Sequence, residues 1–190
     1  MKNIYKIIIL LSGFSSFSQT IVEKPIQTFY EGNFPSNVYY KDLNNLLNKY
    51  VGTWIFDDGT HYFKIQFYKQ TYYRETPIGN KKTTIYTDRI IGHYQYKLNG
   101  VEIYNITNND EFAHSSSGSY RNTGFNIFYD EPTTNSCGRR IMGEVSLIHS
   151  INNSVEQLTW NRVDFNGGAD CYPFDTTPFK TPANMVLTKQ

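Results

Sequence analysis

The sequence predicts an all-β antiparallel fold, a barrel or a sandwich, entered through one short helix. Apolar and polar residues alternate with period two over most of the chain after Gly52. Turn signals such as Asn-Gly and Asp-Gly recur every ~8–15 residues, giving roughly eight to ten strands. No helix-length apolar pattern separates those strands, which excludes a parallel α/β fold with its helical crossovers. Of the 190 residues, 18% are charged and 16% aromatic, too aromatic and too weakly charged for a disordered chain. That length suits one domain with its own core.

The N-terminus reads as a secretory leader over residues 1–18. Lys2 and Lys6 form a basic region, Ile7-Ile8-Ile9-Leu10-Leu11 begins a short apolar stretch, and Ser16-Phe17-Ser18 supplies small residues before a cleavage point at Gln19. The apolar run is far shorter than the ~20 residues a membrane span requires, and no later segment approaches that length. The expected product is exported, periplasmic or extracellular, with no transmembrane segment. Without the leader, 16 basic side chains face 17 acidic ones. That balance argues against nucleic acid as a partner, because phosphate contacts need concentrated positive charge.

Residues 19–41 form an N-terminal extension broken by Pro25, Gly32 and Pro35, and residues 42–190 form a single domain. Leu43, Leu46, Leu47, Tyr50 and Val51 fall on one face of a helix, with Asp42 as its N-cap and Gly52 as its left-handed terminator. Strands follow from about Thr53, over His61–Tyr68, Thr83–Leu98, Val101–Ile106, Gly124–Asp130, Arg140–Ser150, Val155–Asp164 and Asn184–Lys189. Asp58-Gly59, Asn99-Gly100 and Asn152-Asn153 mark hairpins, and Gly92 inside a long strand marks a bulge or sharp bend. The side chains expected inward are Phe63, Ile65, Phe67, Tyr94, Tyr96, Val101, Ile103, Phe125, Ile127, Val145 and Leu147.

The run Gly52-Thr53-Trp54, at the end of a helix and the start of a meander, resembles the lipocalin superfamily. Its members open with a helical turn and a Gly-x-Trp before an eight-stranded up-and-down barrel. The resemblance implies that Gly52 and Trp54 are structural and that a late basic residue, Arg162 in Leu158-Thr159-Trp160-Asn161-Arg162, covers the Trp and closes the barrel. The layout, the Gln19-Thr20 start and the ending Asn184-Met185-Val186-Leu187-Thr188-Lys189 also resemble a family of small exported bacterial proteins of unknown function.

A search for chemistry finds no nucleophile elbow, phosphate loop or metal-binding helix motif. His61, His93, His114 and His149 stand apart, none at metal-ligand spacing, so no metal or cofactor is expected. The leading reading is a non-enzymatic exported protein that holds a small hydrophobic or aromatic ligand, with Tyr94 and Tyr96, beyond the Gly92 bend, lining its cavity. A second reading is a structural or interaction module at the cell envelope, whose outer aromatic face meets protein or glycan. A distant third is a hydrolase using Asp164, Asp170 and Asp175 in one long loop.

Cys137 and Cys171, the only cysteines, lie in loop-forming sequence, and export makes them disulfide partners. Closing that loop is worth roughly 3–4 kcal/mol in the chain-entropy model. Protein secreted by its own host is expected to show no free thiol in a non-reducing mass measurement; two free thiols reject the bond.

Overall fold

The computed structural model describes residues 21–26, 37–78, 81–107, 113–114, 120–121, 124–134, 138, 140–165 and 177–190. The leader reading of residues 1–18 and the pair Cys137 and Cys171 lie outside them. The chain is all-β. Its strands are β1 (Val22–Pro25), β2 (Val38–Lys41), β3 (Gly52–Asp57), β4 (His61–Ile78), β5 (Lys81–Leu98), β6 (Val101–Ile106), β7 (Ala113–His114), β8 (Tyr120–Arg121), β9 (Gly124–Thr134), β10 (Arg140–Asn152), β11 (Val155–Asp164) and β12 (Asn184–Lys189). They form one sheet in the order β1-β2-β5-β4-β3-β12-β11-β10-β9-β7, with β6 beside β5 and β8 beside β9. The short β7 pairs with β9 and also with β5, through Ile91↔His114 and Gly92↔Ala113. β1, β2 and β5 run parallel and every other pairing is antiparallel, so the N-terminal extension adds a parallel element to the antiparallel meander.

The expected helix at Asp42–Val51 is absent, replaced by turns and a single 3-10 turn at Asn48–Tyr50. Three asparagines, Asn44, Asn45 and Asn48, stand among the apolar positions as weak helix formers that favour turns, and Asn45 takes a positive φ of 54° that no α-helix accommodates. A ten-residue helix is marginal even with good formers. Asp42 is therefore not an N-cap, the 3-10 turn starting at Leu47 without a side-chain cap, but its carboxylate accepts the Leu46 and Leu47 N–H groups at 2.7 and 3.1 Å. Leu47 and Tyr50 still reach the core. Asp42 also ties the segment down. Its N–H donates to Asp88 at 2.9 Å, its carboxylate holds Lys69 at 3.0 Å, and Tyr39 and Thr71 donate to the other Asp88 oxygen at 2.7 and 3.0 Å.

β4 and β5 form the longest ladder, in register from His61↔Leu98 to Ile78↔Lys81. The register passes through Gly92 unbroken, so the expected bulge there is not found. Gly92 is instead a point of close approach. A Cβ at that position would lie 2.8 Å from the Phe67 ring and 2.9 Å from the end of Ile65. The irregularity falls one hairpin later. Asn99 and Gly100, both at positive φ, make the two-residue turn. A bulge between Tyr96↔Tyr104 and Lys97↔Glu102 then reverses the phase of β6. Tyr104 is therefore buried in place of Ile103, which is only half-buried, while Val101, also expected inside, lies on the turn side of the bulge opposite Leu98 and is 64% exposed.

The remaining inward set fills one core. Phe63, Ile65, Phe67, Tyr94, Tyr96, Phe125, Ile127, Val145 and Leu147 are all buried, joined by Trp54, Tyr129, Leu158, Trp160, Met185 and Leu187. Tyr129 and Trp160 meet edge to face at 5.2 Å, Phe63 and Trp160 at 5.3 Å, and Tyr94 and Tyr129 at 5.1 Å. Such pairs add ~0.5–1.5 kcal/mol each beyond their burial.

Gly92→Ala is expected to cost about 1–3 kcal/mol in chemical denaturation, because a methyl group must displace the Phe67 ring in a full core. In a Phe67→Leu background the same change should cost markedly less; equal costs in both backgrounds would mean that Phe67 is not the obstacle.

Candidate functional site

Tyr94 and Tyr96 sit on the inward parity of β5 and are 2% and 0% exposed. Neither hydroxyl faces a void. Tyr94 donates to the Asp130 carbonyl at 2.8 Å, and Tyr96 donates to the Lys180 carbonyl at 2.7 Å while lying 2.7 Å from His61 Nδ1. With its one proton given to Lys180, Tyr96 accepts from His61, which fixes the imidazole proton on Nδ1. Burial pushes Tyr94 and Tyr129 far above the ordinary phenol value and Tyr104 up to about 12. These tyrosines are neutral hydrogen-bond donors set in a packed interior.

The end of the core near Tyr96 is capped by the segment leading into β12. Fully buried Glu131 accepts four hydrogen bonds there, from the Lys180 N–H at 2.9 Å, the Thr181 N–H at 2.8 Å, the Thr181 hydroxyl at 2.6 Å and Tyr104 at 3.0 Å. Arg162 joins the same cap. Its guanidinium lies 3.8 Å from the centre of the Phe179 ring, and it donates to Thr181 Oγ1 at 2.7 Å and to Asp164 at 2.6 Å. Arg162 therefore covers Phe179, at the opposite end of β12 from Trp54. Of the loop carboxylates, Asp164 is engaged by Arg162, while Asp170 and Asp175 lie outside the described residues.

Trp54 is fully buried and donates its indole N–H to the Tyr50 carbonyl at 2.8 Å. The cation beside its ring is Lys189, 5.3 Å from the centroid, with His149 edge-on at 6.0 Å. Register explains the choice, since Lys189 is the cross-strand partner of Trp54. Gly52, at φ +127°, leaves the room, because a Cβ there would sit 3.2 Å from Lys189 Cε. Glu156 holds both Lys189 at 2.8 Å and His149 at 3.0 Å, and the first contact keeps its carboxyl below the usual glutamate value.

Among the described residues a groove opens mainly on the outward parity. Lys64, Gln66 and Tyr68 of β4, His93, Tyr94 and Gln95 of β5, and Asn105, Ile106 and Thr107 at the end of β6 line a groove of about 250 Å³. Pairing sets Lys64 beside Gln95 and Gln66 beside His93. Tyr68 and His93 meet at a tilt, 5.3 Å between ring centres. Gln95 and Asn105 both donate to the Glu102 carboxylate, Asn105 at 3.2 Å, so one acid fixes two amide side chains along the groove. Amides accept as well as donate, and the ring supplies a flat apolar face.

A model of a family of unknown function, DUF6705, matches residues 1–190. The chain belongs to that family. No curated protein and no solved structure matches it.

In this DUF6705 member Gly52, Trp54 and Arg162 do not form one constellation, and Tyr94 and Tyr96 belong to the core, Tyr94 alone of the two also reaching the lining of the groove. The residues that sequence reasoning missed are Glu131, Lys189 and the groove amides. Glu131 continues the inward alternation Phe125, Ile127, Tyr129 and could have been found as an acid on an apolar face. The outward alternation Tyr62, Lys64, Gln66, Tyr68 was visible too, but not the bulge that brings Asn105 alongside it. Among the described residues no group of three His, Cys, Asp or Glu side chains is placed to hold a metal, and no helix is long and apolar enough to cross a membrane.

Asp130, beside Glu131 but on the other face of β9, is 9% exposed, and its Oδ1 has no partner among the described residues. Burial raises its pKa to about 6, against the opposing pull of Arg140. A carboxyl raised in the fold favours folding below its unfolded value near 4, and that contribution is lost as pH climbs through 6. Asp130→Asn is expected to be more stable than wild type by about 1–2 kcal/mol at pH 7.5, with the gap closing by pH 4.5. Denaturation curves at the two pH values decide it, and a gap independent of pH would assign the effect to another cause.

Proposed function

We propose that this protein is a non-catalytic binding module that takes a polyhydroxylated ligand, of carbohydrate class, in the outer groove of β4, β5 and β6. One observation carries the reading: the inward tyrosine hydroxyls are bonded to backbone carbonyls amid packed rings, whereas a groove of about 250 Å³ opens on the outward side, with Tyr94 alone of the two reaching its lining. Its lining pairs an aromatic ring with amides, a hydroxyl and a lysine, which suits sugar rings with apolar faces and hydroxyls that both donate and accept. A small hydrophobic ligand held inside is the weaker alternative, because it would have to displace that ring cluster. The wall behind the groove is inferred to be a closed barrel of β3, β4, β5, β7, β9, β10, β11 and β12; the double pairing of β7 with β9 and β5 supports that closure. The leader reading has the module working outside the cytoplasm.

Titration of the purified protein with a panel of neutral oligosaccharides, followed by calorimetry or NMR shifts, tests the proposal. At least one class is expected to bind tighter than ~1 mM, about −4.1 kcal/mol. Tyr68→Ala and Gln66→Ala, both at exposed positions, should each lose tenfold or more without lowering Tm. Oleate or a sterol binding instead, unaffected by Tyr68→Ala, would move the site to the interior and overturn the groove reading.

A further inference from the structure

β3 stays beside β4 only as far as Gly52↔Phe67. Among the described residues no strand pairs with the outer edge of β4 beyond that point. From Tyr68 to Glu75 every residue is exposed, including Tyr68 at 38%, Tyr72 at 37% and Tyr73 at 48%. A long open edge rich in tyrosine is a template for another strand. Two features bound it. Phe67 is already paired with β3 at one end, and Pro77, which has no N–H to give, stands at the other.

We propose that the occupant is a second copy of this chain, paired antiparallel along Tyr68–Thr76 about a two-fold axis at Tyr72. An axis normal to the sheet keeps each face on its own side, so facing residues must share parity and the axis must pass through a whole residue. The midpoint of the open edge is Tyr72. That centre sets Gln70 opposite Arg74 and Lys69 opposite Glu75, with no like charges facing. An axis through Thr71 would set Glu75 against Phe67, which β3 occupies, and one through Tyr73 would draw Pro77 into the ladder. Lys69 already holds Asp42 and Glu75 lies near Lys82, so these pairs select register and add little affinity. A ladder this short buries little area, and weak association is expected, at about 100 μM protein. The two-fold turns both outer grooves to the same side.

The proposal is independent of what the groove binds, and the experiment is oligomeric state in the full chain without ligand. Sedimentation equilibrium should show a monomer–dimer equilibrium. Glu75→Lys, which sets like charges against Lys69 at both ends, should weaken it at least threefold with Tm unchanged. Under mild oxidation Tyr72→Cys should form a disulfide-linked dimer, since Cα atoms facing across an antiparallel pair lie ~4.5–5.5 Å apart. Gln70→Cys and Arg74→Cys should each fail to self-link but should link to one another when mixed, with wild type as the control for Cys137 and Cys171. A chain that stays monomeric up to ~0.5 mM, or Arg74→Cys linking to itself while Tyr72→Cys does not, overturns the proposal.

Discussion

The continuous register between β4 and β5 is the constraint on which the other features depend. Because side chains alternate strictly along a strand, an unbroken ladder from His61↔Leu98 to Ile78↔Lys81 commits every residue of both strands to one face or the other. The inward parity supplies Phe63, Ile65, Phe67, Tyr94 and Tyr96 to the core, and the outward parity supplies Lys64, Gln66, Tyr68, His93 and Gln95 to the groove. A slip by one residue would exchange the two sets and leave lysine and amides inside. Gly92 keeps the register tolerable, since the Phe67 ring occupies the space where any larger residue would put its side chain. The same ladder outruns β3, which leaves the outer edge of β4 beyond Phe67 without a strand partner among the described residues.

Acidic groups fasten the parts that strand pairing does not. Asp42 and Asp88 hold the entry segment to the hairpin, and Glu131 holds the segment before β12 across the end of the core. Each is buried and accepts several hydrogen bonds, which is the condition under which a desolvated carboxylate can be kept. Asp130 differs: it is buried with an oxygen left over among the described residues, and its proton affinity rises accordingly. Neighbours in sequence thus have opposite electrostatic fates because alternation sends them to opposite faces of β9.

Much of the fold was legible because it rests on local periodicity. The alternation over His61–Tyr68 and Thr83–Leu98, the Asn99-Gly100 turn and the final strand are all properties of short windows. The helix was misread because its apolar spacing outweighed three asparagines that prefer turns, and β6 was misread because a bulge changes phase without any marker in composition. The role given to Arg162 failed for a different reason. Which cation covers Trp54 is decided by the pairing of β12 with β3, a contact between distant parts of the chain, and that pairing delivers Lys189. The groove was half legible for the same reason: its β4 wall alternates in plain view, while its opposite wall depends on how β6 lies against β5.

Both tryptophans, Trp54 and Trp160, are fully buried, one against Lys189 and His149, the other among Phe63 and Tyr129. The indoles of this molecule are therefore shielded from anything that settles on its outer face. Their emission is a gauge of core integrity, blue-shifted while the rings stay packed and red-shifted once water reaches them, and it is deaf to events in the groove. The solvent-facing chromophores are tyrosines, so occupancy outside the core leaves its optical trace in phenol absorbance, and a flat tryptophan signal during a titration is compatible with a filled groove.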